Sequence, residues 1–456
     1  MAQRSTDIEA ALTRYIPRHV LSSGHADKPS QRDFNGVVLM VDIAGFTSLT
    51  QAFEGEVTAG AERLSGILDS YFGRMTDIAI GHGGDVLDIV GDAVLVAWTC
   101  DEGPLQIGCV AVQCGLAMQA ALPEIVAQTG AQLRQRVSVA SGTLTHFIVG
   151  GVGGKWHCLT AGASVIEAAF ANPYGGPDDV VVSSSLWRLL APCCAGRVLA
   201  DGRAVVSSVG EPISLLVPAV AVGEATQSGL ERYVSQPLLE RLRMGGGHWL
   251  GEFRTVTTVL IGVPGVDCTS SDALNLLQIV IEGAQRIHAR VGGTLMRLSS
   301  DDKGVFLLSA FGLPLTARED DAVRALIAAQ AFSQYLREKG VCVNLGVATG
   351  PVFYADSGGS GRRHAGLTGG AVNLAARLMV VSQGGILCES ITHAAACRGF
   401  QFESHEPVLA KGLVELVPVW QLGARLLAER RAFLGAAVGR TDEMQRMNQA
   451  LMAVEQ

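Results

Sequence analysis

VLMVDIAGFTSL, residues 38–49, is the stretch on which the fold turns. A run of branched apolar residues reads as a buried strand, yet it carries one carboxylate, Asp42, and then breaks at Gly45 into helix-forming sequence. From the strand at 36–49 outward, the chain predicts a helix to about Gly81 and then the apolar hairpin GGDVLDIVGDAVLVAW (83–98). An apolar helix to about Ala127, the strand RVSVASGTL (136–144), a glycine-rich turn and the helix SVIEAAFA (164–171) follow. The same order returns about 210 residues later. It comprises the strand TVTTVLIGVPGV (255–266), a helix over 274–291, GGTLMRLSSDDKGVFLLSAFG (292–312), a helix over 322–339, the strand VCVNLGVATGPVF (341–353), and TGGAVNLAARLM (368–379). Two copies of one β-α-β-β-α-β plan predict an α+β protein of paired ferredoxin-like domains with a ligand site between them. The expected domains are an N-terminal helical segment (1–33), a first domain (34–220), a linker (221–253), a second domain (254–422) and a helical extension (423–456).

Composition narrows the class. The 456 residues exceed what one hydrophobic core serves. Hydrophobic residues at 48% with charged ones at 17% exclude an extended disordered chain. A net charge of -8 argues against a general nucleic-acid binder. The 10 cysteines show no metal-ligand spacing, so a reducing cytoplasm is the simpler compartment. The N-terminus has no apolar signal core, and the most apolar run, 103–126, is broken by Gln106, Gln113, Gln119, Pro123 and Glu124. It reads as a buried helix rather than a transmembrane segment.

Three groups of residues carry chemistry. Asp42 and Asp92 each sit inside an apolar strand or hairpin, where an unpaired carboxylate costs several kcal/mol. Either one alone is commonly a turn or capping residue. Together, beside the strand-to-helix turn Ile43-Ala44-Gly45-Phe46-Thr47 with its free amides, they suggest a divalent metal and a phosphate. Asn373 and Arg377 lie one helical turn apart, just after the glycine-rich turn 366–370, and Arg suits charge growing on a transferring phosphoryl group. Arg136 and Lys411 are isolated cations that, taken singly, read as surface charge.

These residues resemble the class III nucleotidyl cyclases. VLMVDIAGFTSL, GGDVLDIVGDAVLVAW, GGTLMRLSSDDKG and TGGAVNLAARLM recur in the order of that family, and the tandem arrangement with LERYV in the linker resembles the catalytic region of soluble adenylyl cyclase. The resemblance implies a pseudo-twofold pair with one productive site at the interface, and conversion of ATP to cyclic AMP and pyrophosphate. It implies that Asp42, the carbonyl of Ile43 and Asp92 hold two ions, Mg²⁺ or Mn²⁺. Asn373 would orient the ribose and Arg377 stabilise the transition state. Arg136 and Lys411 would bind phosphates, as would the turn Ala44, Gly45, Phe46 and Thr47.

Departures from that pattern are equally informative. The two positions that read adenine are Arg297 and Gly366, so a cyclase of altered purine selectivity is an alternative. A catalytically weak or inactive nucleotide-binding regulatory module is another. In the pseudo-symmetric second site, Gly262 and Val305 replace the two aspartates. The positions that hold bicarbonate in soluble cyclases match Asp88 and Ala169, so activation by bicarbonate is not expected. The closing segment 432–456 resembles the start of a P-loop ATPase without its phosphate loop, with an apolar stripe of Met444, Met447, Leu451 and Met452. The expectation is therefore that the chain is the N-terminal catalytic portion of a longer protein.

Overall fold

The computed structural model describes residues 8–22, 27–54, 60–100, 103–211, 213, 229–245, 251–301, 304–409, 416–426, 445, 446 and 449. The strands of the first domain are β1 (Ser30–Ala44), β2 (Asp85–Val90), β3 (Ala93–Thr99), β4 (Arg134–Gly150), β5 (Trp156–Ala161), β6 (Val180–Val182), β7 (Cys194–Val198) and β8 (Ala204–Val209). Those of the second are β9 (Glu252–Val263), β10 (Thr294–Asp301), β11 (Gly304–Phe311), β12 (Asn344–Gly358), β13 (Arg363–Thr368), β14 (Ile386–Glu389), β15 (Phe400–Leu409) and β16 (Leu416–Arg425). Along the chain run the helices α1 (Arg18–Ser22), α2 (Phe46–Glu54), α3 (Gly60–Gly81), α4 (Pro104–Thr129), α5 (Ala163–Ala171) and α6 (Ser184–Leu190). They continue as α7 (Gln236–Arg243), α8 (Ala273–Val291), α9 (Asp321–Glu338), α10 (Gly370–Val381) and α11 (Ser390–Ala396).

Both sheets have one topology. The first runs β2-β3-β1-β4-β6-β8-β7 with β5 on β4, and the second runs β10-β11-β9-β12-β14-β16-β15 with β13 on β12. Alternation along β1 explains the layering: Val37, Leu39, Val41 and Ile43 pack with α3 and α4, while Val38 and Met40 pack with α5. Asp42 has the parity of Val38 and Met40, which places it on the α5 face. In the second domain α8 and α9 cover one face and α10 the other. The apolar helix α4 has the length and hydropathy of a membrane span, but it packs in the first core through Cys109, Val112, Met118 and Leu122.

The domains exchange arms. Phe147, Val149, Leu159 and Ala161 of the β4–β5 arm lie in the core of the second domain, and Phe353 and Ala355 of the β12–β13 arm lie in the core of the first. Each large side chain buried in this exchange contributes about 1.5–3 kcal/mol to holding the pair together. Polar contacts fix its register. Arg363 is bonded to Asp356 at 2.8 Å and to Asp69 of α3 at 3.2 Å. Gly359 N–H donates to Thr76 Oγ1 at 3.1 Å, and Gln278 of α8 donates to the Gly150 carbonyl at 2.7 Å. Leu12, Ile16, Val20 and Leu21 at the N-terminus pack against Leu230, Leu238 and Leu242 of the connecting segment.

The structure corrects several boundaries. β1 begins at Ser30, within the segment assigned to the N-terminal helix, and ends at Ala44 because Gly45 turns at φ 83° into α2. β9 begins inside the expected linker, and β16 reaches Arg425, beyond the expected domain end. β4 extends six residues past Leu144 and β12 five past Phe353, since their ends are buried by the other domain. The glycine-rich turn expected at 366–370 begins as strand, for Gly366 lies within β13 and pairs with Ala355. The C-terminal extension is helical at Gln445, Arg446 and Gln449, and its apolar stripe lies outside the described residues.

Candidate active site

The carboxylates come together through main-chain geometry. Asp42 is opposite Ala93 of β3 and Arg136 of β4, so Asp42 and Arg136 share one face of the sheet. Asp92 sits in the two-residue turn between β2 and β3, where Gly91 supplies the positive φ of 65° that the turn demands. The Ile43 amide donates to the Asp92 carbonyl at 3.1 Å, which ties the turn to the end of β1. Both carboxylates act on one buried phenol: burial first, then Asp42 and Asp92, push the Tyr71 hydroxyl well above its ordinary value. That hydroxyl donates to Gln135 Oε1 at 2.9 Å.

Two carboxylates converging at a strand end, with the Ile43 carbonyl beside them, are a donor set that suits hard divalent cations. Among the described residues no group of three or more His, Cys, Asp or Glu side chains forms a metal cluster, so an ion here would draw further ligands from substrate or water. The adjoining turn offers amides: Leu49 N–H bonds the Gly45 carbonyl at 3.2 Å, and the amides of residues 46–48 have no preceding helical turn to bond to. Arg136 Nε is buried without a hydrogen-bond partner among the described residues.

The second domain supplies the opposite wall. A cavity of about 20 Å³, room for about one water, is lined by Gly91 of the first domain and by Arg297, His364, Gly366 and Thr368 of the second. Arg297 and Gly366, inferred from the sequence to face one base, therefore do share a cavity. Arg297 is engaged within it. Its Nη2 donates to the Ile89 carbonyl and, at 2.6 Å, to His364 Nε2, while its Nε faces Asp88 at 3.4 Å. Burial opposes the charge on Asp88, but Arg297, His364 and Arg362 hold its pKa below the ordinary value. Thr368 leads directly into α10, where Asn373 is half-buried, its backbone N–H donating to the Gly369 carbonyl at 3.2 Å, and Arg377 is exposed one turn on. Lys411 lies outside the described residues, and of Thr47 only the backbone is described.

His364 is the residue that motif reading passed over. It precedes the TGGAVNLAARLM string, and the signal for it was its place in a basic triplet, Arg362-Arg363-His364, at the start of β13.

The pseudo-twofold shows why only one site is equipped. Asp42 opposes Ala93, and Gly262 opposes Phe306, so Val305 occupies the place of Asp92. A Cβ at Gly262 would approach Met379 Sδ to 3.0 Å. Asp88 and Arg297 are themselves equivalent, each following a bulge in its strand and opposing Leu95 and Leu308 respectively. Beside them lies a cavity of about 180 Å³ lined by His19, His146 and His157 as well as Asp88, Arg297 and His364. The helices begin after Gly162 and Gly369, and counting from these makes Phe170, not Ala169, the counterpart of Arg377.

Comparison with known proteins bears on the family and the fold. Residues 29–211 match the family described as the adenylate and guanylate cyclase catalytic domain. Over 440 residues the chain is 25% identical to adenylate cyclase type 10 of Homo sapiens, a match that covers 88% of this chain and 27% of that protein. The Rattus norvegicus protein of the same name is 25% identical over 436 residues, with 87% and 27% covered. The chain thus spans about a quarter of the length of these relatives. Among solved structures, a class III adenylyl cyclase-like ATP-binding protein from Pseudomonas aeruginosa superposes with a TM-score of 0.56 over 87% of this chain and 93% of that one, at 12% identity. That likeness is one of fold: two class III cyclase-like domains in tandem, as the sequence implied.

Proposed function

We propose, for a chain whose first domain matches the cyclase catalytic family and whose two halves share the class III cyclase fold, that it converts ATP to cyclic AMP and pyrophosphate at one site between the domains. The observation that carries this reading is the asymmetry of the pair. One end sets Asp42, Asp92 and Arg136 beside the Gly45 turn, and the related end has Gly262 and Val305.

Asp42, the Ile43 carbonyl and Asp92 would hold two ions, Mg²⁺ or Mn²⁺, which when bound acidify the ribose 3′-hydroxyl and neutralise triphosphate charge. The chain's own residues orient and stabilise. The amides from Ala44 to Thr47, with Arg136 and Lys411, hold the triphosphate. Asn373 fixes the ribose, so that its 3′-oxygen faces the α-phosphorus, and Arg377 meets the charge that grows there. Arg297 donates to the base. The ten free thiols support a reducing, cytoplasmic setting.

A second reading, nucleotide binding without turnover, is favoured by the altered base-reading positions, Arg297 and Gly366, and by Gly262 and Val305 in the related site. Cyclic AMP formation from ATP with Mn²⁺, with GTP as the competing substrate, separates the two. We expect cyclic AMP from the wild type and none from Asp42→Ala. Arg377→Ala should lower kcat by about 30-fold or more, equivalent to about 2 kcal/mol, with little change in nucleotide affinity. Tight ATP binding without product would establish the second reading instead.

A further inference from the structure

We propose that His364 reads the purine, its Nε2 accepting from the 6-amino group of adenine in place of the side chain that Gly366 lacks. The inference rests on the cyclase reading of the site and goes beyond it by assigning the base specificity.

Residues 364 and 366 are two apart on β13 and project to the same side. A Cβ built on Gly366 would lie 2.8 Å from His364 Cδ2 and 2.9 Å from His364 Nε2. The imidazole edge therefore fills the space a side chain at 366 would take, and both residues line the same cavity. Arginine has no acceptor, so the 2.6 Å contact from Arg297 Nη2 assigns a lone pair to Nε2 and the proton to Nδ1. Nδ1 in turn faces Asp88 Oδ1 at 3.6 Å, and that oxygen is fixed by the Ile89 amide at 2.8 Å. Burial and then Arg297 lower the His364 pKa to about 3, so the ring remains neutral at physiological pH.

The pair thus presents one donor, Arg297, and one acceptor, His364. Adenine displays the matching edge, an acceptor at N1 and a donor at the 6-amino group. With Arg297 opposite N1, guanine would set its N1–H against a donor and its O6 against a lone pair. In the structure the two protein groups satisfy each other and fill the cavity. An entering adenine takes over both halves of that hydrogen bond, at little polar cost because each group exchanges one partner for another.

The test is the affinity of the full chain for ATP and for purine riboside 5′-triphosphate, which lacks only the 6-amino group, in the presence of Ca²⁺. The wild type should prefer ATP by about tenfold. His364→Ala should bring the two affinities together, and His364→Gln, which restores an acceptor, should recover part of the preference. A preference that survives in His364→Ala, or is missing from the wild type, overturns the proposal. Because binding is read apart from cyclic AMP formation, a chain that binds with the expected preference but makes no product refutes the cyclase reading alone.

Discussion

Asp85 grips the N-terminal segment with both carboxylate oxygens. Its Oδ1 accepts from the Arg18 amide at 2.9 Å, and its Oδ2 accepts from the His19 amide at 2.9 Å and from His19 Nδ1 at 2.7 Å. Burial alone would raise its pKa, but the His19 side chain and these amides hold it down, to about 2 against an ordinary 3.8. A carboxylate depressed in the folded state contributes stability that is present above about pH 4 and is lost as pH falls towards 2. Asp85→Asn should therefore be less stable than wild type by about 2 kcal/mol at neutral pH, with the gap closing as pH drops from about 4 to 2 in urea unfolding. A gap that stays constant with pH would refute this account of the strap. At this scale the sequence was legible where chemistry and burial conflict. Asp42 and Asp92 stood out because a carboxylate in an apolar run needs a partner, and the structure sets them close in register, at the end of β1 and in the β2–β3 turn beside it. His364 did not stand out, because its importance arises from a missing side chain two residues away. The second bicarbonate position was matched to Ala169, one residue short of Phe170, because only the paired glycine caps fix the helix phase.

Elements were legible wherever their periodicity served their own domain. The long helices α4, α8 and α9 appear near their expected limits, and α3 ends at Gly81 as expected though it begins only at Gly60, after α2, since each buries a stripe in the core beside it. The β4–β5 and β12–β13 arms did not, because Phe147, Leu159 and Phe353 are buried by the other domain, a partner that local sequence does not reveal. α10 carries Asn373 and Arg377, to which the proposed function assigns catalysis, and Gly346 lets it lie close on β12. A Cβ at Gly346 of β12 would fall on the Ala375 carbonyl and beside the Met379 amide, both of them backbone atoms of α10. Gly346→Ala should push the helix outward, cost about 1–3 kcal/mol of stability, and lower kcat more than affinity by moving Asn373 and Arg377. Gly370→Ala, where a Cβ meets nothing within 4 Å, is the control and should leave both unchanged. Thermal unfolding and steady-state kinetics of the two variants check this, and equal behaviour would contradict the role given to the Gly346 contact.

At the scale of the molecule, the repeat foretold two like domains, while the function lies in the ways they have become unlike. The pseudo-twofold brings Asp88 against Arg297, opposite charges at equivalent positions, and sets Gly262 and Val305 where the first domain has Asp42 and Asp92. The proposed site would take its metal-binding face from the first domain and its transition-state arginine from the second, within one chain. The direct measurement is cyclic AMP formation from ATP and Mn²⁺ by wild type, by Asp42→Ala, by Arg377→Ala, and by an equimolar mixture of the two variants. The account predicts turnover by the wild type, its loss in Asp42→Ala, its steep reduction in Arg377→Ala, and no recovery in the mixture. Activity that survives Asp42→Ala, or that the mixture restores, would contradict a single site formed between the two domains of one chain.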